Sequence, residues 1–256
     1  DIIDDRVYFL CSDDNSFVAL NSIDFERTGY LKHNNEWYRY SLAPYSSGKL
    51  EKADLPASLH FSNNVIENEH LKVVFNNMGQ IEKIVDKPNN YNCVSSSFNA
   101  VRIYKDRFVH PYNAWDIDIN YTKHKPTDMK LVESKEYCDG NSVVRENKFV
   151  YNSSSLVQRI ILTENCPYIK VENEVDWHET HKMLRIDAYP KNFNEKVLCD
   201  IQFGNIQRST KTDNKIVFAQ FEIPAHKWVD VYDGKYGVAI LNDCKYGHRV
   251  KDGLIS

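Results

Sequence analysis

Ile169-Lys170-Val171-Glu172-Asn173-Glu174-Val175-Asp176-Trp177 decides the fold. Ile169, Val171, Val175 and Trp177 alternate with Lys170, Glu172, Glu174 and Asp176, and a period of two sends the two sets to opposite faces of a β-strand. The expectation is a half-buried strand. The same rhythm recurs downstream. Leu184, Ile186 and Ala188 are set against Arg185 and Asp187, and Val197, Cys199, Ile201 and Phe203 against Asp200 and Gln202. Residues 156–162 and 238–241 are apolar on both faces, which suits inner strands of packed sheets. No run carries the i, i+3, i+4, i+7 spacing of a long amphipathic helix.

Between these runs lie turn signals: Asn77-Met78-Gly79, Asp139-Gly140-Asn141 and Asp233-Gly234. Many strands punctuated in this way predict a large antiparallel β-sandwich. Asp54-Leu55-Pro56-Ala57-Ser58 interrupts the pattern, so a small β unit over about residues 1–54 is expected ahead of a sandwich over about 55–256. The first residues are already strand-like, with no initiator Met. Leu254-Ile255-Ser256 follows the turn-like Lys251-Asp252-Gly253 as if opening another strand. The chain is therefore expected to be an excised piece.

Composition narrows the function. With 42% apolar residues, 27% charged residues and a formal net charge of -4, the chain has no basic excess to attract nucleic acid or an anionic membrane. No apolar run approaches the roughly 20 residues of a membrane-spanning helix. Cysteines stand at 11, 93, 138, 166, 199 and 244 without a Cys-x-x-Cys pair, so free thiols and a reducing, cytoplasmic setting are expected. The sequons at Asn120 and Asn152 are matches that an Asn-rich chain produces by chance.

Several constellations invite chemistry. His178-Glu179-Thr180-His181 is one residue short of His-Glu-x-x-His. It is expected to continue a strand, where residues three apart face opposite sides, so a zinc site is not expected and His181 is kept as a cleft-facing candidate. Asp116-Ile117-Asp118-Ile119-Asn120 opens like a calcium loop, but Tyr121 and Thr127 stand where Gly and Glu are needed. Carboxylates lining one polar strand face are an alternative there. A better reading joins Trp115 to Asp116 and Asp118 as an aromatic platform with acceptors, the chemistry that holds a sugar ring. The polar run Asn205-Ile206-Gln207-Arg208-Ser209-Thr210 is expected to be a loop after a strand, with Arg208 free to clamp a ligand or a neighbouring domain. Serine-hydrolase, P-loop and dinucleotide-binding motifs are absent.

Four further segments carry a resemblance: Asp176-Trp177-His178-Glu179-Thr180-His181-Lys182-Met183-Leu184-Arg185, Gln202-Phe203-Gly204-Asn205-Ile206-Gln207-Arg208, Ala225-His226-Lys227-Trp228, and Leu241-Asn242-Asp243-Cys244-Lys245-Tyr246-Gly247-His248. With Ile66-Glu67-Asn68-Glu69-His70-Leu71-Lys72-Val73 and Ala114-Trp115-Asp116-Ile117-Asp118, they resemble the C-terminal region of glycoside hydrolase family 38 α-mannosidases. The resemblance implies an all-β fold, a supersandwich of galactose-mutarotase-like kind preceded by a small β domain. It also implies a parent enzyme that hydrolyses α-mannosidic bonds with retention, using a carboxylate nucleophile and a zinc ion held by His and Asp in an N-terminal catalytic domain. The opening His-x-His-x-Asp type motif of that domain is not in this chain, so no catalytic or zinc-binding residue carries over. Partners implied are the catalytic domain itself, mannose-containing glycans and further copies of the parent. Trp115, Asp116, Asp118, His181 and Arg208 are the candidates for the cleft or domain interface. An independent carbohydrate-binding sandwich is the alternative, and a free-standing epimerase a more remote one.

Overall fold

The computed structural model describes residues 18–53, 56, 58–106 and 116–256. It is an all-β molecule of antiparallel sheets. Among the described residues the regular helix is confined to Lys215–Ala219 and a 3₁₀ turn, Ile119–Lys123. None is long and apolar enough to cross a membrane.

The N-terminal strands Arg27–His33, Glu36–Leu42 and Glu51–Lys52 form one small sheet, and Val18–Leu20 pairs with Ser47–Lys49. Asn34 and Asn35 both have positive φ, the two-residue turn whose twist matches its flanking strands. Residues 54, 55 and 57, at the expected boundary, lie outside the described residues. The unit touches the sandwich where Trp37 packs on Gly140, with Lys32 paired to Asp139 at 2.8 Å and Tyr30 bonded to Glu164 at 2.9 Å.

The sandwich is built from a five-stranded meander over residues 60–92, a four-stranded sheet (Lys130–Asp139, Ser142–Tyr151, Ser154–Thr163, Lys170–Asp176) and a second four-stranded sheet (Gly204–Ser209, Lys196–Ile201, Trp228–Tyr232, Gly237–Leu241). Its main core draws on all three: Ile66, Val73 and Phe75 from the first, Val143, Ile160 and Leu162 from the second, Val197, Cys199, Val229 and Val231 from the third. A smaller core joins Leu156 and Phe149 to Val101 and Ile103. Gln158 and Asn147 separate the two along the shared sheet. They are fully buried but satisfied, Gln158 by Asn99 and Asn173 and Asn147 by the Gly79 carbonyl.

Several sequence expectations are corrected. Lys170–Asp176 is a strand, but an edge strand rather than a half-buried one: Val171 and Val175 remain 36% and 44% exposed because a neighbour exists on one side only. Gly237–Leu241, expected inside, is likewise an edge, with Leu241 73% exposed. Residues 177–181 form a loop between two sheets and do not continue the strand. Gly204–Ser209 is a strand, where a loop was expected. Asp116–Asn120 is a loop entering a 3₁₀ turn, which removes the polar-strand-face reading. Ile186 is exposed and Asp187 fully buried, the reverse of the expected polarity.

Candidate functional site

That reversal locates the site. Strands Ala100–Lys105 and Lys182–Asp187 pair antiparallel with Ala100 opposite Asp187, Arg102 opposite Arg185 and Ile103 opposite Leu184. Alternation gives Val101, Ile103 and Leu184 to the smaller core and leaves Arg102, Tyr104, Arg185 and Asp187 on the other face. A charged face ordinarily meets water. Here Tyr121, Glu222 and Ser256 lie over it, and its charges are paired.

The arrangement has two arms. In the first, Asp187 Oδ2 accepts from Tyr104 Oη at 2.6 Å and from Arg102 Nη1 at 3.1 Å. Arg102 also donates to Asp128 Oδ1 and Tyr189 Oη, each at 3.1 Å. Asp187 Oδ1 is buried without a hydrogen-bond partner among the described residues. In the second arm, Arg185 grips Glu222 through Nη1 at 2.9 Å and Nη2 at 3.2 Å, and reaches Ser256 Oγ at 2.8 Å through Nε. Tyr121 donates its hydroxyl to the same Glu222 carboxylate. Its ring meets Tyr104 edge-on at 5.6 Å and lies 5.6 Å from the Arg185 guanidinium. Two arginines directly opposite would repel; Asp187 and Glu222 offset that.

The electrostatics follow from burial and pairing. Burial, reinforced by Asp187, pushes the Tyr104 hydroxyl well above its usual range, and burial with Glu222 does the same to Tyr121 despite Arg185. Both stay protonated and donate. Burial opposes the Arg102 and Arg185 charges, yet Asp187 and Glu222 outweigh it and both pKa values are raised. His248, also buried, is held below its ordinary value by desolvation and by Arg185. The result is a brace of locked donors and acceptors rather than a set of groups poised to exchange protons.

What the brace holds is the segment carrying the candidates. Tyr121 sits in the 3₁₀ turn Ile119–Lys123, and Asp118 caps that turn, its Oδ1 accepting from the Asn120 amide at 3.0 Å and from Asn120 Nδ2 at 2.7 Å. Asp116 is exposed just before it; Trp115 lies outside the described residues. His181 is exposed, with φ 51°, and its carbonyl accepts the Asp106 amide at 3.0 Å. His181 therefore stands beside Asp106, where the chain leaves strand Ala100–Lys105. Asp116 and Asp118 follow residues 107–115, which lie outside the described residues. The 177–181 loop is pinned by Glu179, bonded to Lys182, Asn152 and Ser154. Arg208 belongs elsewhere, in the sheet opposite Val197, beside the Cys199 thiol, which burial pushes up and Arg208 pulls down.

The sequence reading passed over Arg185, Asp187 and Glu222, and met Tyr121 only as a mismatch to a calcium loop. Alternating charges on one strand read as a solvated face; only the pairing with a second charged strand shows otherwise. Among the described residues no three His, Cys, Asp or Glu side chains converge as metal ligands. The described cysteines 93, 138, 166, 199 and 244 are free.

The fold is that of an antiparallel β-sandwich domain with a buried, charge-paired strand face. Residues 66–256 match the glycosyl hydrolases family 38 C-terminal domain, and the chain belongs to that family. It is similar to α-mannosidase G of Dictyostelium discoideum, 30% identical over 220 residues that cover 82% of this chain and 20% of that protein. It is also similar to α-mannosidase 2C1 of Homo sapiens, 38% identical over 104 residues, 41% of this chain and 10% of that one. A solved family 38 glycosyl hydrolase structure from Enterococcus faecalis superimposes with a TM-score of 0.67 at 14% identity, covering 98% of this chain and 36% of that one, a likeness of fold. The matched stretches are thus a tenth to a fifth of those curated relatives.

Proposed function

We propose that this chain is a non-catalytic β segment of a retaining, zinc-dependent α-mannosidase that removes terminal α-D-mannosyl residues from glycans. In this reading the segment docks on the parent's catalytic domain and helps to shape its sugar cleft. The observation that carries the proposal is the family match over residues 66–256, and the braced 116–123 segment supports it. Retaining hydrolysis needs two carboxyl groups free to act as nucleophile and acid. Asp187 and Glu222 are committed to arginines, and Tyr104 and Tyr121 are held protonated. Such groups fix shape. Asp116, Asp118 and His181 then form the rim the segment offers to the cleft, with Arg208 on a separate sheet as a domain contact. Zinc is supplied by ligands in the catalytic domain, and the parent works in the cytoplasm, as a homo-oligomer.

Calorimetry tests the docking reading. Titrating mannose oligosaccharides into the chain alone should give no binding heat. Tight binding would instead make it an independent carbohydrate-binding module.

A further inference from the structure

Most left-handed positions are taken by Asn, Asp or Gly, among them Asn34, Asn35, Asn64, Gly140, Asn152, Asp252 and Gly253, residue types that reach positive φ at little cost. The larger side chains at such positions among the described residues are Tyr45, His181 and Phe203. The two-residue turn joining Lys196–Ile201 to Gly204–Ser209 places Phe203 there, at φ 59°. A bulky aromatic is a poor choice for that conformation, and the Phe203 side chain is completely exposed. Strain at an exposed apolar residue points to a function outside the chain's own folding.

Register shows what surrounds it. Asp200 pairs with Asn205, Cys199 with both Ile206 and Val229, Val229 with Ile240 and Trp228 with Leu241. The turn at 202–203, the entry at 226–227 and the exit at 242 therefore lie at one end of one sheet. Gln202 Nε2 is 3.2 Å from His226 Nε2, the His226 ring lies 5.6 Å from Tyr246, and the Asn242 amide bonds the Lys227 carbonyl at 2.8 Å. Phe203, Leu241 and Tyr246 are all exposed there. Three segments far apart in sequence thus converge at one end of the sheet, where two aromatic rings and a leucine form an exposed apolar knob.

We propose that this knob is the surface on which the remaining polypeptide of the same parent protein docks, Phe203 entering an apolar pocket of it. The inference rests on the docking reading above and names the face. The occupant is indicated by length: the chain accounts for 36% of the superimposed family structure and 20% of the Dictyostelium relative, so proteins of this family hold a large further body. An exposed apolar knob suits a protein pocket, whereas sugars are received in concave sites with converging polar groups.

The test is Phe203→Asn, with Leu241→Ser as a second variant, each made in the 256-residue chain and in the full-length parent. Asn suits the turn, so the melting temperature of the isolated chain should hold or rise, while the parent's should fall by about 3 °C or more. Parent melting unchanged by both variants would overturn the proposal. Hydrogen exchange, compared between chain and parent, separates the failures. Slowing by about tenfold in residues 202–204 and 242–246 of the parent supports the knob. Slowing confined to another face, such as the hollow lined by Leu20, Leu31 and Leu42, overturns this surface but leaves docking standing. Slowing nowhere overturns both. Slowing of the knob in the isolated chain on adding mannose oligosaccharide would make it a sugar site and refute the assignment.

Discussion

Replacing Glu222 with Ala removes the acceptor on which the second arm of the brace converges. Arg185 loses contacts of 2.9 and 3.2 Å, and the Tyr121 hydroxyl loses its partner. Hydrogen bonds to charged groups contribute about 1.5–3 kcal/mol each, but three that share one carboxylate are not additive. Stranding one member of a buried ion pair costs about 3–5 kcal/mol. The Arg185 and Glu222 side chains keep 11% and 18% of their exposure, so some water reaches the guanidinium and the low end, about 3 kcal/mol, is expected. For a chain of this size that is a fall of about 6–12 °C in Tm. Urea denaturation of the isolated chain, followed by tryptophan fluorescence, measures it. Replacing the group by apolar residues of similar bulk, Arg185→Met with Glu222→Leu and Tyr121→Phe, should recover most of the loss, because the desolvation cost leaves with the charges. A loss below about 1 kcal/mol for Glu222→Ala, or a triple variant no better than the single one, would refute the view of this cluster as a buried brace.

Gly140→Ala should cost about 1–3 kcal/mol, since φ is +64° and a Cβ would stand 2.7 Å from the Trp37 indole; the melting temperature should fall and the Trp37 emission shift, and no change in either would contradict the packing. Asp118→Ala should lower stability by about 1 kcal/mol through loss of the cap and speed amide exchange at Asn120 and Tyr121; unchanged exchange would show the cap idle. His248 carries a pH signature. Its folded pKa lies below the ordinary value, because burial and Arg185 disfavour the imidazolium. As pH falls through about 6.5 the unfolded chain takes the proton first. Stability contributed by the neutral ring is therefore present above that value, is lost as pH falls towards the folded pKa, and levels off below it. His248→Asn should flatten the slope of urea midpoints between about pH 7 and pH 5; an unaltered slope would assign it to other groups.

The strand architecture was legible because alternation and turn chemistry are local. Gly140 in its turn and the runs at 170–176 and 196–201 needed no tertiary information. Burial was less legible, since it depends on which strand ends up beside which. Val171 and Val175 look like core residues and are left partly open at an edge. Arg185 and Asp187 look like a solvated face and are buried, because strand Ala100–Lys105 brings Arg102 and Tyr104 against them and Glu222 closes over from 37 residues away in sequence. Of the candidate residues, His181 is set beside Asp106 by the pairing of Lys105 with Lys182, and Asp118 caps the turn that carries Tyr121. Arg208 misled because the polar run 205–210 has the composition of a loop; hydrogen bonding to the well-patterned strand 196–201 makes it a strand.

The central claim, that this chain supports but does not perform mannoside hydrolysis, is tested most directly by turnover of an aryl α-mannoside in the presence of zinc. The full-length parent should release the aryl group, and the 256-residue chain, equally folded by its melting transition, should not exceed the buffer rate. Turnover by the chain alone approaching that of the parent would contradict the account.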